Sequence, residues 1–409
     1  MIFTTYWFVA FAAIYFPLFW LVRAPAARLY LLLAASVLFH GHFAGAAGVL
    51  PIAVLGIITW LAGRSRNPSA CLGAIVACVV ALCFYKYAEF LSASVLGMLG
   101  VHVPAQGTAV RGWLPAAPPL GISFFAFEFV HYLYEVRHGR EPIRSPVDFT
   151  LFSVFFPSLV AGPIKRYQDF LPSLHAGIRS VGTSDVAQGL GRVAVGYLKK
   201  VVVADNLTAW IDNQAPYFGQ LPLSYRWAIF LAIGLRILFD FSGYTDLAIG
   251  FARMMGIRLP ENFNWPYAAT SIQQFWQRWH MSLSSWIRDY VYIPLGGSHH
   301  GPTRRVANGL LAFALCGLWH GAAWNFLLWG LYHGVGLAIC ANYRRVPVVG
   351  LCAGRLLDFA RPLAWGATIS FVWFGWLLFF YPVAQAWEMA ALLVPVGDAI
   401  RLVERTLLP

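Results

Sequence analysis

Two histidines stand where an ionisable side chain is costly. From Ala307 onward the chain is almost wholly apolar, and His320 is its only readily charged side chain until His333. An ionisable group in such a run faces a bundle interior or a water-filled cavity and is a functional candidate by default. Burial keeps an imidazole neutral, the form a general base needs. The bland alternative is a core histidine hydrogen-bonded to a neighbouring carbonyl. His280 lies in a second concentration of polar and aromatic groups, Ser271 to Tyr290, with Trp276, Arg278, Trp279, Ser284, Arg288 and Asp289. For His280 the two readings are balanced. His299 and His300 sit in a polar loop and read as bland.

Spacing refines the choice. If Gln273 to Tyr290 forms one helix, Gln273, Trp276, His280 and Ser284 share a face, with Arg278 and Arg288 pointing elsewhere. Such a stretch is too polar to span a bilayer and too aromatic for a solvated loop, so it lies in an interface or dips inward against protein. His333 follows His320 by thirteen residues, which is about 220° round an ideal helix. The two cannot line one cavity unless the helix breaks, and His333 is expected to matter far less. Gly317 and Gly321 are four apart, a spacing that lets a second helix approach closely beside His320. Asp240 and Asp246 are six apart and fall on different helical faces, which reads as one carboxylate paired with an arginine and one at a helix end.

The elements that position these residues follow from composition. Of 409 residues, 59% are hydrophobic and 11% charged. A soluble domain carries about a quarter charged residues, so most of this surface is solvated by lipid. The net charge is +12, and of 29 basic residues only Lys86, Lys165, Lys199 and Lys200 are lysines. In a membrane chain that excess reads as cytoplasmic-loop charge and not as nucleic-acid binding. The six cysteines, Cys71, Cys78, Cys83, Cys316, Cys340 and Cys352, show no CxxC spacing and read as core residues, so no metal site is expected.

Ile2 to Val22 has no small-residue cleavage site beside Arg23 and reads as a retained first helix. Apolar runs at 29–43 and 46–63 are separated by the uncharged Gly41–Gly48. Placing Arg23, Arg28, Arg64, Arg66 and the loop Arg137–Arg144 in the cytoplasm puts the N-terminus and Gly41–Gly48 outside. Pro104–Pro118 reads as an outer-face excursion with an interfacial helix. Phe155–Arg166 carries two prolines and a glycine in an apolar run and reads as a re-entrant segment. The fold class is an all-α polytopic membrane protein, with roughly ten to twelve membrane segments by length and hydropathy. Residues 1–118 form N-terminal helices, 119–334 a core and 335–409 C-terminal anchoring helices.

Several motifs resemble the membrane-bound O-acyltransferase family, in particular its bacterial branch that acetylates alginate. They are Pro119-Leu-Gly121-Ile-Ser-Phe-Phe, Ala161-Gly162-Pro163-Ile, Gly196-Tyr-Leu-Lys199-Lys200 and Phe239-Asp240-Phe-Ser-Gly243-Tyr244-Thr-Asp246. They continue through Pro260-Glu261-Asn262, Phe275-Trp276-Gln-Arg278-Trp279-His280, Arg288-Asp289-Tyr290 and Trp319-His320-Gly321. The likeness runs from about 119 to 334 and implies O-acyl transfer around a central tunnel. It places the family's intramembrane histidine on His320 and its second histidine on His280, which should converge. Trp276, Arg278, Trp279, Ser284, Arg288, Asp289, Trp319, Asn325, Asp240 and Tyr244 would line the tunnel. Lys199, Lys200, Arg304 and Arg305 would meet the donor's phosphates. The resemblance also implies acetyl-CoA as donor substrate with no bound cofactor, and a multi-pass location in the bacterial inner membrane. Its partners would be lipid, a periplasmic acetyltransferase- or esterase-like acceptor protein and a polysaccharide. The rivals are D-alanyl transfer to teichoic acids from a carrier protein, a flippase, and an assembly scaffold.

Overall fold

The computed structural model describes residues 2–92, 118–299, 301–343 and 360–394, and every regular element among them is helical. The expected excursion Pro104–Pro118 lies outside the described residues except for Pro118, as do His300 and Cys352. Five of the described helices are long and apolar enough to cross a bilayer: Pro25–Ser65, Pro68–Phe90, Leu223–Arg253, Trp324–Asn342 and Arg361–Phe380. The chain is therefore an all-helical, multi-pass membrane protein. Other stretches expected to span form shorter helices, Tyr6–Leu21 among them.

The chain divides into two compact units, Met1–Gly196 with Tyr244–Glu261, and Tyr197–Gly243 with Asn262–Pro409. In the first unit α1 is Tyr6–Leu21, α2 Pro25–Ser65 and α3 Pro68–Leu82. Helix α2 is broken at Gly45, whose φ of 63° and ψ of 173° are not helical. The uncharged gap between two apolar runs is thus a real interruption. Each half of about twenty residues is roughly 30 Å long, one bilayer core. Asn67 begins α3, its side-chain oxygen accepting from the N–H groups of Ser69 and Ala70 ahead of Pro68, a pairing of cap and first-turn proline that suits a helix start.

Helices α4 (Ile122–Arg137), α5 (Pro146–Val154), α6 (Tyr167–Ser180) and α7 (Thr183–Tyr197) complete the first unit, with the last part of α9 (Leu223–Arg253). Between α5 and α6 the backbone is irregular and largely buried. Gly162 is required there, because a Cβ would lie 2.4 Å from Ser158 Cα. The segment ends in Lys165, which is buried and bonded to Glu128 of α4. Arg66 pairs with Glu141, so the two basic loops lie at one end of this unit. Arg28 departs from its expected place in a loop: it is buried and donates to the carbonyls of Phe19 and Ile178. Asp246 accepts from Arg192, which also holds Glu261.

The second unit holds α8 (Asp205–Gln214), the first part of α9, α10 (Ile272–Trp276), α11 (Met281–Ile287), α12 (Gly301–His320), α13 (Trp324–Asn342), α14 (Arg361–Phe380) and α15 (Val383–Leu392). Its core is aromatic, with Trp329 and Trp376 each 1% exposed.

Candidate active site

A single helix over Gln273–Tyr290 does not form. Ser271 caps α10 by accepting from the Gln274 N–H, and α10 ends at Trp276. A turn follows, and α11 begins at Met281 with His280 before it in the left-handed region, φ 43° and ψ 52°. A side chain with a Cβ pays about 1–2 kcal/mol for that conformation, so the surroundings must enforce it. They do so through Asn262. Its backbone oxygen accepts from Met281 N–H, and its side-chain oxygen accepts from both the N–H and hydroxyl of Ser282. The shared face expected for Gln273, Trp276, His280 and Ser284 is therefore lost: Gln273 is exposed while Trp276 is buried. Ser284 instead donates its hydroxyl to the Trp279 carbonyl.

The second departure concerns His320. Helix α12 ends on this residue, Gly321–Ala323 are not helical, and α13 starts at Trp324 and packs back against α12. Glycines permit the close crossing. A Cβ on Gly317 would lie 2.1 Å from the Phe326 carbonyl oxygen, and one on Gly321 would lie 2.1 Å from the Phe326 ring. Because the chain turns back, His333 is not on a far face. The expectation that it stands apart from His320 fails for the reason the sequence itself named, a break in the helix.

Aromatic contacts then bring the histidines together. The His280 ring is 6.1 Å from Trp319, Trp319 is 4.8 Å from His320, and His320 is 5.2 Å from Trp329 and 5.1 Å from Phe379. His333 lies 5.0 Å from Trp329 and 5.2 Å from Trp276. His280 is 1% exposed. Burial first, and then the neighbouring His320, push its pKa well below the ordinary value. A neutral ring in a low-dielectric box acts through hydrogen bonds and not through charge.

Other expected site residues occupy varied places. Trp279 stacks on Phe275 and packs 4.9 Å from Trp376, walling the same cluster. Asn325 donates to the Leu378 carbonyl and ties the start of α13 to α14. Arg278 is half-buried, and its carbonyl accepts from Asn264 N–H. Arg288 is exposed and bonded to Asp289. Asp240 accepts from Lys200, which also bonds Asp205, so neither Asp240 nor Asp246 needs a catalytic role to explain its place. Tyr244 belongs to the first unit, against Phe3. Of the expected phosphate-binding groups, Lys200 is already matched by two carboxylates and Arg305 donates to Asn342. Lys199 is half-buried and Arg304 exposed.

Asn262, Trp329 and His333 were not among the residues singled out for the site. Asn262 lay in a quoted motif, but nothing local revealed that it would fix a strained histidine about twenty residues away. His333 carries the same signal as His320, an ionisable group in an apolar run, and the helical angle that separates the two holds only for an unbroken helix, which the break at Gly321 removes.

The sequence matches the profile of the membrane-bound O-acyltransferase family over residues 122–355, a span containing all three histidines. The chain belongs to this family. It is an O-acyltransferase. Among its curated relatives, "Probable alginate O-acetylase AlgI" of Azotobacter vinelandii is 36% identical over 406 residues, covering 95% of this chain and 77% of that protein. The peptidoglycan O-acetyltransferase of Helicobacter pylori is 33% identical over 334 residues, covering 75% and 60%. The teichoic acid D-alanyltransferase of Bacillus subtilis is 32% identical over 313 residues, covering 71% and 73%. Against some alginate O-acetylases of the genus Pseudomonas the matched part is about half of the relative's length, 52% in Pseudomonas putida. In this O-acyltransferase the family match takes in parts of both units, and the histidine cluster lies in the second.

Proposed function

We propose that this protein is a bacterial inner-membrane O-acetyltransferase. It takes an acetyl group from acetyl-CoA in the cytosol and passes it through a tunnel across the bilayer, for O-acetylation of an exported or cell-wall polysaccharide such as alginate. The observation that carries this reading is the pair of histidines sharing Trp319, His280 buried and held in strained backbone and His320 half-buried at the end of its helix. Strain and burial of this kind persist where the surrounding structure enforces them, and they cluster at active sites. The relatives named above transfer acyl groups by their names, and all but the teichoic acid D-alanyltransferase name acetyl transfer.

In this mechanism His320 is the general base. It takes the proton of the acceptor hydroxyl as that oxygen attacks the thioester carbonyl. The tetrahedral intermediate collapses, the C–S bond breaks, and the thiolate leaves and takes up the proton. Neutral His280 orients donor or acceptor by hydrogen bonding. Lys199, Lys200, Arg304 and Arg305 are the basic groups that would meet the phosphates of coenzyme A, and Arg304 is exposed. The acceptor is a periplasmic acetyltransferase- or esterase-like partner that sets the group on the polymer.

The test is transfer from radiolabelled acetyl-CoA by purified protein and by its His320→Ala variant. A general base contributes roughly 10²–10⁴-fold, so the variant should lose detectable transfer while inserting normally. Transfer close to the unmodified rate would remove His320 from this role. Labelling by a D-alanylated carrier protein in place of acetyl-CoA would favour the teichoic-acid reading, and flux without acyl turnover the flippase.

A further inference from the structure

The rings of Trp276, Trp329 and His333 are mutual neighbours, 5.8, 5.0 and 5.2 Å apart between centroids. They are 7%, 1% and 0% exposed. Both ring nitrogens of His333 and the indole nitrogens of Trp276 and Trp329 have no hydrogen-bond partner among the described residues. Four such atoms in one box are not a neutral feature of packing. A buried polar group left unpaired is destabilising, and buried tryptophans ordinarily find a partner for the N–H. Phenylalanine at 333 would fill a similar volume with no such cost. At the edge of the ring the contact is to a glycine: a Cβ on Gly375 would lie 2.9 Å from His333 Nε2 and 3.2 Å from Tyr332, so no side chain from that position covers the nitrogen.

The chemistry of the four atoms defines what they would hold. An indole N–H donates only, and a neutral imidazole has one donor and one acceptor. Two or three donors carried on neighbouring rings suit an oxygen atom, and a buried water is held by two to four such partners. We propose that Trp276, Trp329 and His333 form a buried oxygen-binding site, taking a water molecule or the carbonyl oxygen of the acyl group. His333 is thereby a positioning residue for the transfer. It acts through Trp329, whose ring neighbours both His333 and His320, at 5.0 and 5.2 Å. The kinetic consequence rests on the acyl-transfer reading; the oxygen site does not.

The experiment has a structural and a kinetic arm, both on the full chain in lipid nanodiscs. Maps that resolve ordered water, with and without acetyl-CoA, should show an oxygen within about 3.2 Å of a His333 nitrogen and an indole nitrogen. An oxygen present without donor identifies water, and one that appears only with donor identifies the acyl carbonyl. No oxygen in either map overturns the site. In the kinetic arm His333→Phe should keep its melting temperature and lower kcat roughly 10- to 100-fold, the scale of a misplaced reacting group. Its KM for acetyl-CoA should stay within about twofold, the sign of an interaction made mainly in the transition state. His333→Gln, which keeps a donor and an acceptor, should recover much of the loss. If His333→Phe turns over at the unmodified rate, the positioning role is wrong. If the oxygen is present and the unmodified protein transfers no acyl group, the functional reading fails and the binding site stands.

Discussion

Gly317 and Gly330 meet where α12 and α13 cross, and neither can carry a side chain. A Cβ on Gly317 would lie 2.1 Å from the Phe326 carbonyl oxygen, and one on Gly330 would lie 2.1 Å from the Phe313 carbonyl oxygen. The neighbours are backbone atoms and cannot swing aside. This crossing returns α13 along α12 and sets Trp329 beside His320.

Gly317→Ala and Gly330→Ala should therefore each separate the two helices. Overpacking costs about 1–3 kcal/mol where side chains can adjust, and a backbone collision belongs at the upper end or beyond. Both variants should show a lower melting temperature in detergent together with reduced transfer. A Cβ on Gly309 would meet nothing within 4 Å, so Gly309→Ala is the matched control and should be neutral or mildly stabilising. Equal stability of Gly317→Ala and Gly309→Ala would contradict the crossing.

The left-handed backbone at His280 separates its structural from its chemical role. Asparagine tolerates that region better than alanine does. His280→Asn should keep most of the stability, whereas His280→Ala should lose about 1 kcal/mol more through strain. Transfer should be lost in both, because neither side chain supplies an imidazole. Substantial transfer by His280→Asn would show that only the hydrogen-bonding amide geometry matters at this position.

Much of this arrangement was legible in the sequence, and the misses share one cause. Polar groups in apolar runs pointed to His320 and His280, and the Gly41–Gly48 gap pointed to the break now seen at Gly45. What failed was every inference that extended a helix through a site. The faces assigned to Gln273–Ser284 and to His320–His333 assumed regular backbone, and both stretches are broken beside the candidate histidines. Tertiary hydrogen bonds such as Asn262 to Ser282 enforce the first break, and no local propensity reports them. Gly321 offered a visible signal for the second, but glycine in an apolar run also fits close helix packing.

Asn262 gives a direct test of that long-range enforcement. It is 0% exposed, and removing its amide leaves the Ser282 N–H and hydroxyl without their acceptor. Asn262→Ala should cost roughly 1–3 kcal/mol, the penalty for leaving buried donors unpaired. It should also lower transfer by releasing His280 from its backbone conformation. The double variant Asn262→Ala/Ser282→Ala removes one of the two orphaned donors and should recover part of the stability but not the rate. Full recovery of rate would mean that Asn262 acts only on folding.

The depressed pKa of His280 makes a prediction about acid stability. In the folded protein burial and the nearby His320 hold this ring neutral well below its ordinary range, whereas in an unfolded chain a histidine titrates near about 6.5. Below that value the unfolded state binds a proton that the folded state does not. Stability therefore rises with pH through this window and is lost as pH falls below about 6.5. Thermal unfolding in detergent at about pH 7.5, 6.5 and 5.5 should show the melting temperature of the unmodified protein falling on the acid side. In His280→Asn, which has no group to titrate there, the fall should be shallower by the share that His280 contributes. Parallel curves for the two proteins would mean that His280 takes up a proton as readily in the folded state as in the unfolded one, and burial would not be what keeps it neutral.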